Sequence, residues 1–327
     1  MSSSQRAELN ESSGIRRRTG QIQIRDPYVL PVAATGVYYM FGSTDANIWS
    51  GQAIGFDAYR STDLEHWQGP FPVFRPRAGF WSQTNYWAPE VHEYQGRYYM
   101  LATFGAGEYI DRRGTAVLSA DSPLGPFLVH STDSHGRPAP VTPAGWECLD
   151  GTLYLDSAGQ PWMVFCHEWV QISDGTVCAV RLSPDLRRAE GEPVVLFSAS
   201  QAPWAEAVES PRHGRGWVTD GPFLHRTAQG SLLMLWSSFR HGRYAQGLAI
   251  SATGEITGPW RHEPQPLFAA DGGHGMIFRR FDHSGGPGSL MLTLHSPNRT
   301  PRERAQFIEL QETADSLQVV GALRPTS

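Results

Sequence analysis

The sequence predicts an all-β chain folded as a single five-bladed β-propeller, and three observations point there. First, one layout recurs five times: a short lead rich in acidic or imidazole side chains runs into a brief apolar segment. Residues 24–30 lead to 37–41, 87–92 to 98–101, 149–153 to 162–165, 219–224 to 232–236, and 273–278 to 290–294. Aligning the leads puts Asp26, Ala88, Asp150, Asp220 and His274 in register, with steps of 62, 62, 70 and 54 residues. Second, an echo follows each lead: Ser61 and Asp63 before Gly69-Pro70-Phe71, Ser119 and Asp121 before Gly125-Pro126-Phe127, Ser251 before Gly258-Pro259-Trp260, and more loosely Ser183-Pro184-Asp185. Third, helical periodicity is weak and turn residues punctuate the chain. A repeat of this length made of short strands is the signature of a propeller.

Taken in order, residues 1–20 are rich in Ser, Arg and Glu and read as a mobile N-terminal arm. Arg16-Arg17-Arg18 has the look of a twin-arginine signal, but no apolar segment follows it, so a solvated tail is the plainer reading. Residues 21–327 then form the propeller. Loops at 33–36, 94–97, 156–160, 226–230 and 282–286 fall between the first and second strand of each blade, where hairpin turns belong. A chain of 327 residues with 40% hydrophobic and 11% aromatic content is long enough for an ample core, and 34 Gly with 24 Pro suit many turns.

The net charge of −5 has no basic field of the kind a nucleic-acid backbone requires. No apolar run approaches a membrane span. Cys148, Cys166 and Cys178 are odd in number and lack metal-type spacing, which suits buried free thiols in a reducing compartment. With no signal-like apolar segment near its start, the chain is expected in the cytoplasm.

In a propeller the innermost strand of every blade lines the central channel, so residues in register converge near the axis. Asp26, Asp150, Asp220 and His274 then share one mouth. Asp-Pro and Asp-Gly pairs are common turn punctuation on their own, but here they stand at the start of apolar runs and not between them.

Arg25-Asp26-Pro27, residues 86–90 (Tyr-Trp-Ala-Pro-Glu), Leu149-Asp150-Gly151, Asp220-Gly221-Pro222-Phe223 and residues 272–277 (Gly-Gly-His-Gly-Met-Ile) together resemble glycoside hydrolase family 43, the five-bladed arabinanases, arabinofuranosidases and β-xylosidases. The resemblance runs from about Ile24 to about Leu310. It implies cleavage of α-L-arabinofuranosidic or β-D-xylosidic linkages of plant-derived oligosaccharides with inversion. Asp26 is then the general base, Asp220 the general acid and Asp150 a third carboxylate that keeps the acid protonated. Inversion places base and acid about 6.5–9.5 Å apart, on opposite faces of the sugar. The family usually has Glu as acid, and Asp is one methylene, about 1.5 Å, shorter, a misplacement that can cost about 10²-fold. Glu206 and Glu209 are the alternative acids nearest in sequence.

Trp87 is a candidate platform for a pentose face, with Asn85 and Glu90 beside it and Arg243 as a reach toward a sugar hydroxyl or Asp150. Trp49, Trp81, Phe104, Trp169 and Phe239 are candidate cleft walls, and His295 is a further residue that could face the site. His274 resembles the family histidine that helps hold a channel calcium ion, mostly through waters; calcium prefers oxygen ligands, so a structural imidazole is the other reading. Two rivals stand beside this: a retaining glycosidase with a carboxylate pair about 5–5.5 Å apart, and a carbohydrate-binding propeller that lost its acid when Asp replaced Glu.

Overall fold

The computed structural model describes residues 15–282 and 288–322. Five sheets follow one another along the chain and stand side by side around a central axis. Blade I holds β1 (Ile15–Arg18), β2 (Arg25–Val32), β3 (Val37–Ser43), β4 (Phe56–Ser61) and β5 (His66–Phe74), and blade II holds β6 (Trp87–Tyr94), β7 (Arg97–Phe104), β8 (Gly114–Ala120) and β9 (Leu128–Val129). Blade III is β10 (Cys148–Leu155), β11 (Pro161–His167), β12 (Thr176–Leu182) and β13 (Ala189–Ser198). A small ribbon, β14 (Val208–Ser210) with β15 (Gly214–Gly216), precedes blade IV: β16 (Asp220–Arg226), β17 (Leu232–Arg240), β18 (Arg243–Ser251) and β19 (Trp260–His262). Blade V is β20 (Gly273–Arg279), β21 (Leu290–Ser296), β22 (Arg304–Glu312) and β23 (Leu317–Ala322). Every pairing within a blade is antiparallel.

The apolar runs of the second strands are continuous because both faces are buried, and their period of two divides them between neighbouring cores. In β17, Met234 and Trp236 pack toward blade III while Leu233 and Leu235 pack toward blade V. In β7, Met100 and Phe104 face blade I while Tyr99 and Leu101 face blade III. Each fully buried Leu, Met or Phe contributes roughly 1.5–3 kcal/mol, so the interfaces between blades are where the fold is held.

Ile15–Arg18 are not part of a mobile arm: they pair antiparallel with His66–Gly69 at the outer edge of blade I, and Arg17 Nη1 donates to Gly69 O. Residues 1–14 lie outside the described residues, as does most of the expected loop at 282–286. The ring closes without a shared strand: among the described residues no strand of blade I joins the sheet of blade V. The seam is held instead by packing of β2 on β20 and β21, by Ile24 N–H donating to Glu303 O, and by Arg25 Nη1 at 3.1 Å from Glu303 Oε1. Among the described residues no helix is long and apolar enough to cross a membrane.

All five inner strands carry a β-bulge at the same place. The residue inside it is left-handed each time: Asp26 (φ 52°), Ala88 (47°), Asp150 (58°), Gly221 (52°) and His274 (53°). Non-glycine residues seldom adopt this conformation, and its recurrence near the axis marks a constrained site. The bulge turns these residues toward the channel mouth. It also corrects the register in blade IV. Gly221, not Asp220, is the counterpart of Asp26 and Asp150; Asp220 occupies the preceding position, opposite Ser237.

Candidate active site

The left-handed residues are tied to one another across the blades. Ala88 N–H donates to Ser43 Oγ, Asp150 N–H to Thr103 Oγ1, His274 N–H to Ser237 Oγ and Asp26 N–H to His295 Nδ1, at 2.8 to 3.2 Å. Ser43, Thr103, Ser237 and His295 all occupy one pairing position near the end of a second strand. Blade III has Cys166 at that position. A thiol is a weak acceptor, and the Gly221 N–H bonds to the carboxylate of Asp150 (Oδ2, 3.0 Å).

Asp26 is buried and made for the ionised form. Burial alone would raise its pKa, but His274, Arg25 and a hydrogen bond from Ser43 Oγ (2.9 Å) outweigh that and hold it below the ordinary value. His295 behind it is fully buried and its pKa falls to about 3, chiefly through burial, so the ring is neutral. Nδ1 accepts from Asp26 N–H, which leaves Nε2–H to donate to Asn298 Oδ1 (3.3 Å). His274 Nδ1 lies 3.2 Å from Asp26 Oδ1 and 3.5 Å from Asp150 Oδ2, placing the imidazole between the two carboxylates.

Asp220 has the opposite environment. Burial and the charges of Asp150 and Glu168 push its pKa up to about 8, against smaller opposing effects of His274 and the Tyr244 hydroxyl. Asp150 is also raised, by burial first and then by Asp26. Asp150 accepts the Gly221 N–H, which by itself favours its ionised form and works against the effect of burial. Gly221 makes the approach possible: a Cβ there would fall 2.7 Å from His274 Cγ.

A cleft of about 860 Å³ opens over these residues, within the range of about 300–1,000 Å³ usual for ligand sites. Asp26, Asp150, Asp220, His274, Trp87 and Asn85 all line it, as do Trp49, Trp169 and Phe239. Trp87 is held side-on: its Nε1 donates to Ile48 O, Trp49 meets it edge-to-face at 5.4 Å, and Arg113 lies 4.8 Å over its ring.

Several expected residues sit elsewhere. Glu90 is buried outside the cleft lining, with His92 Nε2 at 3.1 Å, and His92 in turn meets Tyr28. Arg243 is exposed at the β17–β18 hairpin and does not line the cleft. Trp81 and Phe104 are buried in an aromatic cluster with Phe74, Phe80 and Tyr86. Glu206 is bonded to the exposed His241, and Glu209 is exposed on β14; neither lines the cleft.

Among the lining residues not anticipated are Arg25, Tyr244, Arg113 and Glu168. Arg25 adjoins Asp26, and Tyr244 donates to Asp220. Glu168, buried, accepts from Arg113 Nη2 at 2.7 Å, and its pKa is raised by burial. Arg113 directly precedes β8 and Glu168 directly follows β11, beyond the lead motifs, where the repeat carries no signal.

Calcium takes six to eight oxygen ligands. Among the described residues no group of three or more His, Cys, Asp or Glu side chains is arranged to hold a metal ion, and His274 Nδ1 is directed at Asp26 and Asp150. Side chains alone do not furnish a calcium cage, so an ion coordinated through water is the form this expectation can take. No chemical step below runs through an ion.

Residues 16–283 match the sequence family described as Glycosyl hydrolases family 43. The extracellular exo-α-(1→5)-L-arabinofuranosidase ArbA of Cellvibrio japonicus is 22% identical over 73% of this chain and 67% of its own length. An endo-arabinase from Bacteroides thetaiotaomicron superposes with a TM-score of 0.81 and 39% identity, over 92% of this chain and 99% of that one. An endo-1,4-β-xylanase from the same organism shares the fold at 20% identity, with a TM-score of 0.71 over 96% and 99% of the two chains. With family motifs, bulged inner strands and buried carboxyls in contrasting environments lining one cleft, the chain belongs to glycosyl hydrolases family 43 and is an inverting glycosidase on a five-bladed propeller.

Proposed function

We propose that the enzyme hydrolyses α-L-arabinofuranosidic linkages in plant-derived oligosaccharides, with Asp26 as general base and Asp220 as general acid. The observation that carries the two roles is the divergence of their environments: Asp26 held ionised, Asp220 held protonated up to a pKa of about 8. Carboxyls pushed apart in this way mark the base and the acid of a site. The arabinan linkage is supported by the 39% identical endo-arabinase and the ArbA relative; the xylanase likeness, at 20%, speaks to fold alone.

Asp26 takes a proton from a water molecule whose oxygen attacks the anomeric carbon. The bond from that carbon to the leaving oxygen breaks with its electron pair going to oxygen, and Asp220 protonates that oxygen. The cycle ends with Asp26 protonated and Asp220 ionised, and exchange with solvent restores both. Asp150 touches neither reacting atom; its charge keeps the proton on Asp220. Trp87 offers an aromatic face to the sugar ring.

The test is a proton NMR time course on arabino- and xylo-oligosaccharides, recording which anomer of which sugar appears before mutarotation. An inverted arabinose anomer, absent with Asp26→Ala, supports the reading. Release of xylose alone, or a retained anomer, overturns it. Metal analysis after chelation and dialysis tests the water-coordinated calcium at His274: an equimolar ion whose removal lowers the melting temperature supports it, and a metal-free active enzyme rules it out.

A further inference from the structure

Tyr244 Oη donates a hydrogen bond of 2.9 Å to Asp220 Oδ2. The tyrosine is 1% exposed and fixed on several sides. Its ring stacks on His295 (5.6 Å, 21°) and meets Phe239 at 5.3 Å. Its backbone N–H donates to Asp271 Oδ1, and its carbonyl accepts from Gly272 N–H. Even the neighbouring strand yields to it, since a Cβ on Gly273 would fall 2.7 Å from Tyr244 Cε1. Burial raises the phenol well above its ordinary pKa, so the hydroxyl remains a donor throughout the working range.

A donor fixed on one oxygen of a carboxylic acid settles where the acid's own proton goes. With Oδ2 accepting from Tyr244, the proton of Asp220 resides on Oδ1. We propose that Tyr244 is a positioning residue that selects the proton-bearing oxygen of the acid, and that this cleft is built for the shorter aspartate. The proposal rests on the reading of Asp220 as general acid. A glutamate there would carry its carboxyl about 1.5 Å further, into the space the 2.9 Å contact now occupies.

The experiment compares a short arabino-oligosaccharide, whose leaving oxygen needs a proton, with 2,4-dinitrophenyl α-L-arabinofuranoside, whose leaving group departs without one. Tyr244→Phe is expected to lower kcat on the oligosaccharide about 10- to 100-fold, with KM within about threefold, and to change the dinitrophenyl rate less than about threefold. Retained activity on the activated substrate also shows that the variant is folded. Asp220→Glu alone is expected to lose activity on the oligosaccharide, and Asp220→Glu with Tyr244→Phe to recover part of it. Equal losses on both substrates, or no loss on either, overturn the positioning role. A double variant no better than Asp220→Glu overturns the fit to aspartate. Asp220→Asn separates the levels: if its loss is the same on both substrates, Asp220 is not the acid and the underlying reading fails. If Asp220→Asn shows the leaving-group signature and Tyr244→Phe does not, only the role of Tyr244 falls.

Discussion

Four junctions between neighbouring blades bond the left-handed backbone N–H to a hydroxyl or imidazole of the preceding blade, whereas the junction of blades III and IV uses a catalytic-centre carboxylate. The four are structural links that satisfy a buried donor, and two of them also serve Asp26: Ser43 bridges Ala88 N–H to its carboxylate, and His295 accepts its N–H. The fifth has Cys166 where the others have Ser, Thr or His, and Gly221 N–H is available to Asp150. A break in the repeat, more than the repeat itself, holds Asp150, the residue proposed to set the protonation of the acid.

The comparison can be broken most forcefully at the ordinary side. Asp26→Asn removes the base and is expected to lower kcat by about 10²–10⁴, measured on arabino-oligosaccharide with the melting temperature as control. At the other side, Asp150→Asn removes a negative charge beside Asp220, so the acid loses its proton more easily. The basic limb of kcat/KM, expected near pH 8 in the parent enzyme, moves to lower pH. A limb that stays in place contradicts the tuning role.

Exchanging the two kinds of junction sharpens the contrast. Cys166→Ser supplies blade III with the hydroxyl of its counterparts, which competes for Gly221 N–H and frees Asp150; a fall of about tenfold in kcat is expected for a lost bond to a charged group. Thr103→Cys makes the reverse change and leaves Asp150 N–H without a good acceptor. Denaturant unfolding is expected to show a loss of about 1–3 kcal/mol. A further effect is on stability against pH. Asp220 has a folded pKa raised to about 8 from 3.8, so the folded state holds its proton more tightly than the unfolded chain. Its contribution is fully present below pH 3.8 and is lost as pH rises toward 8. Asp220→Asn escapes that loss, and its melting temperature is expected to exceed the parent's by a margin that grows from pH 5 to pH 8.

The blades were legible because burial on both faces writes continuous apolar runs, and the bulged leads were legible because Asp, Ala and His share a place with Pro or Gly following. The slip of one residue in blade IV came from aligning acid with acid. The prolines were the better guide: Asp26-Pro27, Ala88-Pro89 and Gly221-Pro222 align by backbone and place Gly221, not Asp220, in the bulge. Trp81 and Phe104 resembled Trp49 and Trp169 in sequence, and only packing against Phe74 and Phe80 distinguishes a core ring from a cleft ring. Arg113, Glu168 and Tyr244 reach the site from outside the leads, so no spacing announces them. The outer strand Ile15–Arg18 is three arginines long in its polar part, and its place is set by the edge of β5 that it covers.

The seam between blades I and V has a consequence for inactivation. With no strand ladder there among the described residues, apolar packing holds the seam together with Glu303, fully buried, and the guanidinium of Arg25, which also stands 3.9 Å from Asp26. Local opening of a structure requires less free energy than global melting, and opening of this seam would withdraw a cation from beside Asp26. On heating, activity is expected to be lost before the chain melts, and the interval between the inactivation temperature and the melting temperature gauges how tightly the ring is shut.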